Sequence, residues 1–173
     1  MGVRADAERT VRDVFDAHVH DVWRTIHFLG VPEHDVADVC QDVFLVVHRR
    51  LHTFEGRSAL TSWLYGICVR TVSAYRRKAF RRHERLVDEL PAESTDAPQE
   101  RRYLANEKLT RLRALLEALD EKQRAVFVLY EIENLSMKEI AAGLEIPVQT
   151  AYSRLRVARR LVREGFEAQG GAP

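Results

Sequence analysis

Apolar residues recur along most of the chain at the spacing that places them on one side of an α-helix. The pattern predicts seven helical stretches, at about 5–29, 35–51, 60–83, 104–119, 121–133, 136–144 and 148–166. Breaks fall at Gly30-Val31-Pro32 and in the run from Phe54 to Ser58, where glycine or proline interrupts a helix. No segment alternates with period two over the length of a strand. The sequence therefore predicts an all-α fold.

One long segment between these stretches lacks helical periodicity. Residues Asp88 to Tyr103 read DELPAESTDAPQERRY, in which two prolines and a Ser-Thr pair interrupt any helical period. This composition favours a flexible acidic linker, residues 88–103, between two small helical domains at 1–87 and 104–169. Residues 170–173 are expected to form a disordered tail. The extended linker reaches at most about 50 Å.

The last two stretches have the pattern of a helix-turn-helix. Ser136 and Glu139 predict a capping box at the start of the first helix, and Pro147 starts the second. Spacing puts four residues on the buried side of the second helix: Ala151, Leu155, Ala158 and Val162. The opposite side carries hydrogen-bonding and cationic groups: Gln149, Tyr152, Ser153, Arg156, Arg160 and Arg163. Residues 147–163 contain five arginines and no acid, so a polyanionic partner is expected.

Composition narrows the class of protein without identifying it. The 173 residues carry a net charge of +1 and are 46% hydrophobic, which is enough to bury one ordinary core or two small ones. No apolar run approaches the roughly 20 residues that span a bilayer, and charges near the N-terminus argue against a signal peptide. We therefore expect a soluble, cytosolic protein without membrane insertion. Cys40 and Cys68 lie in helical apolar patterns, which favours reduced, buried thiols.

The near-neutral net charge conceals an uneven distribution. Residues 66–85 carry seven basic side chains and one acid, whereas 88–107 carry six acids and two arginines. Arg70, Arg77 and Arg81 fall on one side of a helix that is also rich in aromatic residues. Cations with exposed rings suit single-stranded nucleic acid, because unpaired bases stack on aromatic faces. The alternatives are a solvated charged face and rings that belong to the core.

An acidic strip lies upstream of this basic helix. Asp35, Asp38 and Asp42 fall on one side of the second helical stretch, with Gln41 beside them. The opposite side is apolar and is expected to pack: Val36, Val39, Cys40, Val43, Phe44 and Val47. Because acids repel DNA, this strip is expected either to stay in water or to bind a positively charged protein.

Two blocks of sequence resemble regions of one family. The run from Asp38 to Lys78, DVCQDVFLVVHRRLHTFEGRSALTSWLYGICVRTVSAYRRK, resembles region 2 of the extracytoplasmic-function (ECF) sigma factors of bacterial RNA polymerase. The run from Leu116 to Val162 is similar to region 4 of the same family. The resemblance implies a bacterial initiation factor that directs core polymerase to promoters and assists their opening. It also implies that the chain is not an enzyme and needs no cofactor or metal.

The resemblance implies sites as well. In the family, acidic and glutamine positions of the second helix dock on the clamp of the polymerase β′ subunit, and the β subunit is a further expected contact. The matching positions here are Asp35, Asp38, Gln41 and Asp42. Residues expected to contact the opened −10 element are Arg57, Ser58, Thr61, Ser62, Trp63, Arg70, Tyr75, Arg76, Arg77 and Arg81. Those expected in the major groove of the −35 element are Gln149, Thr150, Tyr152, Ser153, Arg154, Arg156, Arg159 and Arg160. Beside polymerase and double- and single-stranded promoter DNA, an anti-sigma factor is an expected partner.

Several positions depart from the family pattern. Arg70 and Ala74 stand where many members have an asparagine followed by an aspartate. In the −35 helix, Gln149 replaces a common glycine, and Tyr152 and Val157 occupy positions that are often filled by a cation. The chain is therefore expected to have its own promoter preference. Each cationic residue of the −35 helix can bind either a base edge or a phosphate.

Three other hypotheses compete with this interpretation. The first is an enzyme with a metal site. His48 and His52 have the i, i+4 spacing of metal ligands, but no cysteine or glutamate completes a set of ligands at fixed spacing. A DNA-binding regulator that acts without polymerase would explain residues 104–166 but leaves the acidic strip and the aromatic-basic helix without a role. A sigma mimic that sequesters a partner predicts no specific DNA footprint even with polymerase present.

Overall fold

The computed structural model describes residues 10–87 and 103–168, and within these ranges the chain is helical and contains no strand. The all-α prediction is confirmed. The helices are α1 (Val11–Phe28), α2 (Glu33–Arg50), α3 (Leu60–Val87), α4 (Tyr103–Glu117), α5 (Glu121–Phe127), α6 (Met137–Leu144) and α7 (Val148–Ala168). A short 3-10 turn, Leu51–Thr53, follows α2, and a π-helical turn, Val128–Ile132, continues α5. The predicted tail and all of the predicted linker except Tyr103 lie outside the described residues. No helix in the described ranges is long and apolar enough to cross a bilayer.

Side chains cap the starts of several helices. Thr10 and Asp13 form a reciprocal capping box at α1, and Ser136 and Glu139 form the predicted one at α6. The hydrogen bonds from Ser136 lower the pKa of the Glu139 carboxyl, so this cap is charged at neutral pH. The Asp120 carboxylate accepts a hydrogen bond from the Gln123 backbone N–H at 2.8 Å and begins α5. These caps supply acceptors to backbone N–H groups that have no partner inside the helix.

Helices α1 to α3 form an N-terminal bundle. Val22 and Ile26 of α1 are fully buried, as are Leu64 and Cys68 of α3. The six residues predicted for the packed side of α2 are all buried: Val36, Val39, Cys40, Val43, Phe44 and Val47. Both cysteines are free and buried, as predicted.

Helices α4 to α7 form a C-terminal bundle around Leu116, Leu129 and Ile140, which are fully buried. The four predicted inward residues of α7 are also buried: Ala151, Leu155, Ala158 and Val162. Between α6 and α7, Glu145 adopts a left-handed conformation with φ of 55°, which ends α6 and lets the chain turn into Pro147. The helix-turn-helix prediction is confirmed in its caps, its turn and its packed side.

The two bundles pack against each other, which the sequence pattern does not predict. Helix α6 crosses the first half of α3 so closely that a β-carbon at Gly66 would overlap the Gly143 carbonyl oxygen. A β-carbon at Gly143 would in turn overlap the carbonyl oxygen of Ser62. Glycine at both positions therefore allows backbone-to-backbone contact. One continuous core joins the two bundles.

Candidate nucleic-acid interface

The outer side of α7 is a cationic surface open to solvent. Gln149, Tyr152, Ser153, Arg156 and Arg160 are all exposed. Together with Tyr130 and Arg163 they line a shallow concave surface. The groups in its first turns, from Gln149 to Arg156, suit base edges, and Arg160 and Arg163 farther along suit phosphates.

Three residues predicted for this surface have other surroundings. Arg159 pairs with Glu131, Nε to Oε1 at 2.5 Å, and its guanidinium lies 5.1 Å from the centre of the Tyr130 ring. Arg154 is half-buried and lines a cleft between the two bundles instead of the outer face. Thr150 is half-buried, and its carbonyl accepts a hydrogen bond from Ser153. The exposed surface of α7 that can contact DNA therefore contains fewer residues than the sequence predicted.

The start of α3, expected at the −10 element, is partly covered. Ser62 is only 1% exposed because the backbone at Gly143 lies against it, and its hydroxyl has no hydrogen-bond partner. Trp63 is half-buried and its ring centre lies 5.3 Å from that of Phe54. Thr61 is half-buried as well. As the chain stands in this structure, Ser62 is not available to DNA.

The loop before α3 and the later turns of α3 differ in exposure. Arg57 is exposed and pairs with Glu55, whereas Ser58 is half-buried. Arg77 and Arg81 are exposed, and Arg81 donates its Nε to the Arg77 carbonyl at 3.3 Å. Both guanidinium groups are open to solvent, where they can follow a phosphate backbone.

Three other residues of α3 predicted to contact DNA are engaged within the protein. Arg70 donates to the Gly143 carbonyl and to the Glu145 carboxylate, both at 3.2 Å. Arg76 is half-buried and donates to the Leu29 carbonyl, and burial lowers the pKa of its guanidinium. Tyr75 donates to the Asp35 carboxylate, and burial together with this bond raises the pKa of Tyr75 to about 12.

The acidic strip on α2 is present as predicted, with one member engaged. Asp38, Gln41 and Asp42 are exposed, whereas Asp35 is half-buried and bonded to Tyr75. Asp38 and Asp42 face a cleft whose other side carries Lys78 and Arg82 of α3: the full lining is Asp35, Asp38, Val39, Asp42, Tyr75, Lys78, Ala79 and Arg82.

Next to Gln41 lies an apolar groove that sequence reasoning missed. It runs between α1 and α2, and three of its large side chains remain about two-fifths exposed: Phe15 at 42%, Trp23 at 43% and Leu45 at 43%. Large exposed apolar side chains in one patch are typical of protein-binding surfaces. The signal in the sequence was an apolar face on α1 wider than one core requires.

A buried carboxylate joins the two bundles, and it too was not predicted. The side chain of Glu133 is 1% exposed and accepts from three groups of the N-terminal bundle. Arg24 donates at 2.6 Å, Thr25 at 2.8 Å and Tyr65 at 2.9 Å. The hydrogen bond to Glu133 raises the pKa of Arg24, whereas burial and the Glu133 charge raise the pKa of Tyr65. A buried charge is tolerated when hydrogen bonds of this kind replace its water.

A buried arginine makes the second unpredicted connection. Arg124 of α5 is 4% exposed and donates to the Leu29 carbonyl of the other bundle at 3.0 Å. It also donates to the carbonyls of Glu117 and Leu119, both at 2.9 Å. Burial, followed by the nearby charge of Arg76, lowers the pKa of Arg124 to about 10. The guanidinium is therefore still protonated at neutral pH.

The histidines suggested as metal ligands do not form a cluster. His48 and His52 are exposed at the end of α2 and in the turn after it. Within residues 10–87 and 103–168, no three His, Cys, Asp or Glu side chains are placed to hold a metal ion.

Comparison with protein families assigns both bundles. The family described as sigma-70 region 2 matches residues 14–82, and that described as sigma-70, region 4 matches residues 109–162. The two matches fall on the N-terminal and C-terminal bundles respectively. They define the class of protein as a sigma-70-type transcription initiation factor, which is not an enzyme.

Curated relatives narrow the class further. The chain is 35% identical over 141 residues to the ECF RNA polymerase sigma-E factor of Escherichia coli K12, covering 76% of this chain and 74% of that protein. It is 32% identical over 147 residues to the ECF RNA polymerase sigma-E factor of Haemophilus influenzae, covering 79% and 77% respectively. The chain belongs to the ECF sigma factors, alternative sigma factors that direct RNA polymerase to promoters.

Two solved structures share the fold of both bundles. CnrH, in complex with the cytosolic domain of CnrY, has a TM-score of 0.70 and 25% identity, with 94% of this chain and 93% of that chain covered. The sigma factor RpoE of Bartonella quintana, in complex with the anti-sigma factor NepR, has a TM-score of 0.74 and 20% identity, covering 90% and 96%.

Proposed function

We propose that three surfaces of this sigma factor divide the work of initiation. Asp38, Gln41 and Asp42 on α2 bind the β′ clamp of core polymerase. The loop before α3, together with α3 itself, binds and helps to open the −10 element. The outer side of α7 reads the −35 element in the major groove. The contact residues within each surface are those that the family resemblance implies. The protein acts in the bacterial cytoplasm.

The observation that carries this proposal is the segregation of charge between helices. From its start to Arg163, the exposed side of α7 presents arginines and no acid, whereas the exposed side of α2 presents Asp38 and Asp42. DNA attracts the first surface and repels the second, so the two require partners of opposite charge. A regulator that bound DNA alone would leave the acidic surface without a role.

The −10 surface is supported by the exposed part of α3. Arg77 and Arg81 lie one turn apart and are both open to solvent. They can follow the phosphates of an unpaired strand, while Trp63 on Phe54 offers an aromatic surface near the start of the helix. Full access to that start requires the C-terminal bundle to move away from Ser62.

An anti-sigma factor is a further proposed partner. CnrH and the Bartonella RpoE, which share the two-bundle fold, were both solved in complexes, RpoE with an anti-sigma factor. We propose that a comparable protein binds this chain and controls its access to polymerase.

In-vitro transcription with core polymerase on a promoter library tests the function directly. The chain added to core polymerase is expected to yield transcripts from a specific subset of promoters, whereas core polymerase alone is not. A DNA footprint without dependence on polymerase would favour the regulator acting alone. Absence of any specific footprint with polymerase present would favour a sequestering mimic.

Within the −35 surface, Arg156 is expected to bind bases and Arg160 to bind phosphate. Arg156→Ala should cost about 1–3 kcal/mol on the preferred −35 sequence and relax the preference at one or two base positions. Arg160→Ala, one turn farther along, should weaken all sequences about equally and lower the salt slope by about one, because it binds phosphate. Binding of the holoenzyme to a library randomised at −35, at two salt concentrations, measures both effects. If the two variants have the same effect, a different face of α7 enters the major groove.

A further inference from the structure

Helix α2 reverses its charge along its length. Its first half, residues 33–42, carries the acidic strip with Asp38 and Asp42. Its last turn carries Arg49 and Arg50, which are both exposed, and no acid lies between Asp42 and the end of the helix. Within the part of the chain that the structure describes, neither arginine forms an ion pair. One half of α2 therefore suits a cationic partner, and the end of the helix suits an anionic one.

The helix dipole explains only part of this pattern. Acids in the first turn of a helix and cations in its last turn are both stabilising, but the effect is confined to those turns. Asp38 and Asp42 lie beyond the first turn of α2, so the dipole does not account for them. It also does not account for the position of Arg49 and Arg50 relative to α3.

Arg49 and Arg50 border a concave surface between the end of α2 and the middle of α3. The residues that line it on the α3 side include Arg70, so cations stand on both of its walls. The other residues in the lining are Asp42, Leu45, Val46, Ile67, Thr71 and Ala74. A sugar–phosphate backbone suits such a surface, because apolar side chains can contact the sugar while cations bind the phosphates.

This concave surface continues the side of α3 that is proposed to bind the −10 element. Arg70 and Ala74 belong to the concave surface, and Arg77 and Arg81 follow them at helical spacing. Ala74 stands where many ECF sigma factors have an aspartate, and an alanine side chain offers no hydrogen bond to a base. At this place the side chains that can hold DNA are the neighbouring cations.

We propose that Arg49 and Arg50 bind phosphates of promoter DNA at the −10 element, so that α2 contacts polymerase with its acidic half and DNA with its end. The inference rests on the proposed −10 function of α3 and adds a second helix to that surface. Thr53 fixes the end of α2, because its hydroxyl donates to the Arg50 carbonyl at 2.7 Å. Asp42 lies in the lining too, so a polymerase cation that pairs with it also removes its repulsion of DNA.

Holoenzyme formed from the full chain and core polymerase tests this contact. The probe is a fluorescent fork-junction DNA that carries the −10 element of a promoter transcribed in vitro and no −35 element. Arg49→Ala with Arg50→Ala should weaken binding about tenfold or more and make the salt dependence shallower by roughly two units of slope, one for each phosphate contact. Fluorescence anisotropy at several salt concentrations measures both effects.

Arg49→Lys with Arg50→Lys should keep binding within about threefold and keep the slope, because lysine binds phosphate as a point charge. Arginines that recognised a base edge through two parallel hydrogen bonds would not be rescued by lysine. The matched control is Arg12→Ala with Lys122→Ala, which removes two exposed cations on α1 and α5, outside the proposed surfaces. This control should bind the probe as the unmodified chain does.

An alanine variant with unchanged affinity and slope overturns the proposal, as does an equal loss in the control. Loss of affinity in both the alanine and the lysine variants without a change in slope also overturns it. Circular dichroism checks helix content, and if the double alanine variant loses helix, each single variant should still lower the slope by roughly one.

Two further measurements separate this inference from the proposed function. Affinity of the double alanine variant for core polymerase should be unchanged, because the acidic half of α2 is intact; a loss there would place Arg49 and Arg50 in the polymerase interface and overturn the proposal. If the unmodified holoenzyme does not bind the probe, the proposed −10 function fails together with the inference. If it binds the probe and the variants bind equally well, only the inference fails.

Discussion

Replacing Asp38 and Asp42 together by arginine is expected to weaken binding of core polymerase by at least about tenfold. Both carboxylates are exposed on α2, so the substitutions change the surface and not the packed side of the helix. If the clamp presents cations, two new positive charges convert attraction into repulsion, and such like-charge contacts cost several kcal/mol. Equilibrium binding to purified core polymerase measures the loss.

A control with the same change in charge separates the local contact from a general effect. Asp16→Arg with Glu164→Arg alters two exposed acids on α1 and α7, away from the acidic strip. This control should bind core polymerase nearly as well as the unmodified chain. Because Lys78 and Arg82 face Asp38 and Asp42 across a cleft, thermal unfolding of the double variant is measured in parallel. Unchanged binding by a folded Asp38→Arg, Asp42→Arg variant would show that the strip is only a solvated face.

The largest effect on stability is expected for Arg124→Ala, with a loss of about 3 kcal/mol or more in the free energy of unfolding. The guanidinium donates to the carbonyls of Leu29, Glu117 and Leu119, and alanine would leave these acceptors without their donor. A buried polar group without its partner costs about 1–3 kcal/mol. Arg124→Lys should recover only part of the loss, because a single ammonium cannot reproduce the fork of a guanidinium.

Urea unfolding followed by circular dichroism measures this difference. Lys122→Ala is the matched control, since Lys122 lies on the same helix but is exposed, and its loss should change stability by less than about 0.5 kcal/mol. Because Arg124 bonds to both bundles, its replacement should also make their unfolding transitions less coincident. Stability within about 1 kcal/mol of the unmodified chain would mean that water replaces the guanidinium at little cost.

Helix periodicity was enough to predict which side of each helix is buried within its own bundle. On α7 the buried residues alternate regularly with arginines, and on α2 they alternate with acids, so each helix has one side that can only pack. Caps at Ser136 and Pro147 also depend on neighbouring residues alone. These features were predicted because they are local, and the structure confirms them.

Contacts between the bundles could not be predicted in this way. Ser62 is polar and was assigned to DNA, yet a glycine distant in sequence, Gly143, buries it. Arg76 was counted by charge, but it donates to the same backbone carbonyl as the buried Arg124, that of Leu29. Charge counting treats every arginine as solvated. It cannot distinguish a cation that meets phosphate from one that meets a carbonyl inside the protein.

The π-helical turn explains why the helical pattern did not predict the contacts of Glu133. The pattern predicted one regular helix over residues 121–133, whereas the structure changes to π geometry at Val128–Ile132. A π turn contains an additional residue compared with an α turn, so the side chains that follow it are rotated about the axis. Glu133 therefore reaches Arg24 and Tyr65 instead of the position that a regular helix would give it.

Burial of the two thiols determines how this factor can respond to oxidants. Cys40 and Cys68 lie inside the N-terminal bundle, and burial raises the pKa of each thiol. Oxidants and alkylating reagents react with accessible thiolates, and both accessibility and thiolate character are low here. Within the folded chain neither cysteine is suited to sense peroxide or disulfide stress. A thiol-based redox signal must therefore reach this sigma factor through the cysteines of another molecule.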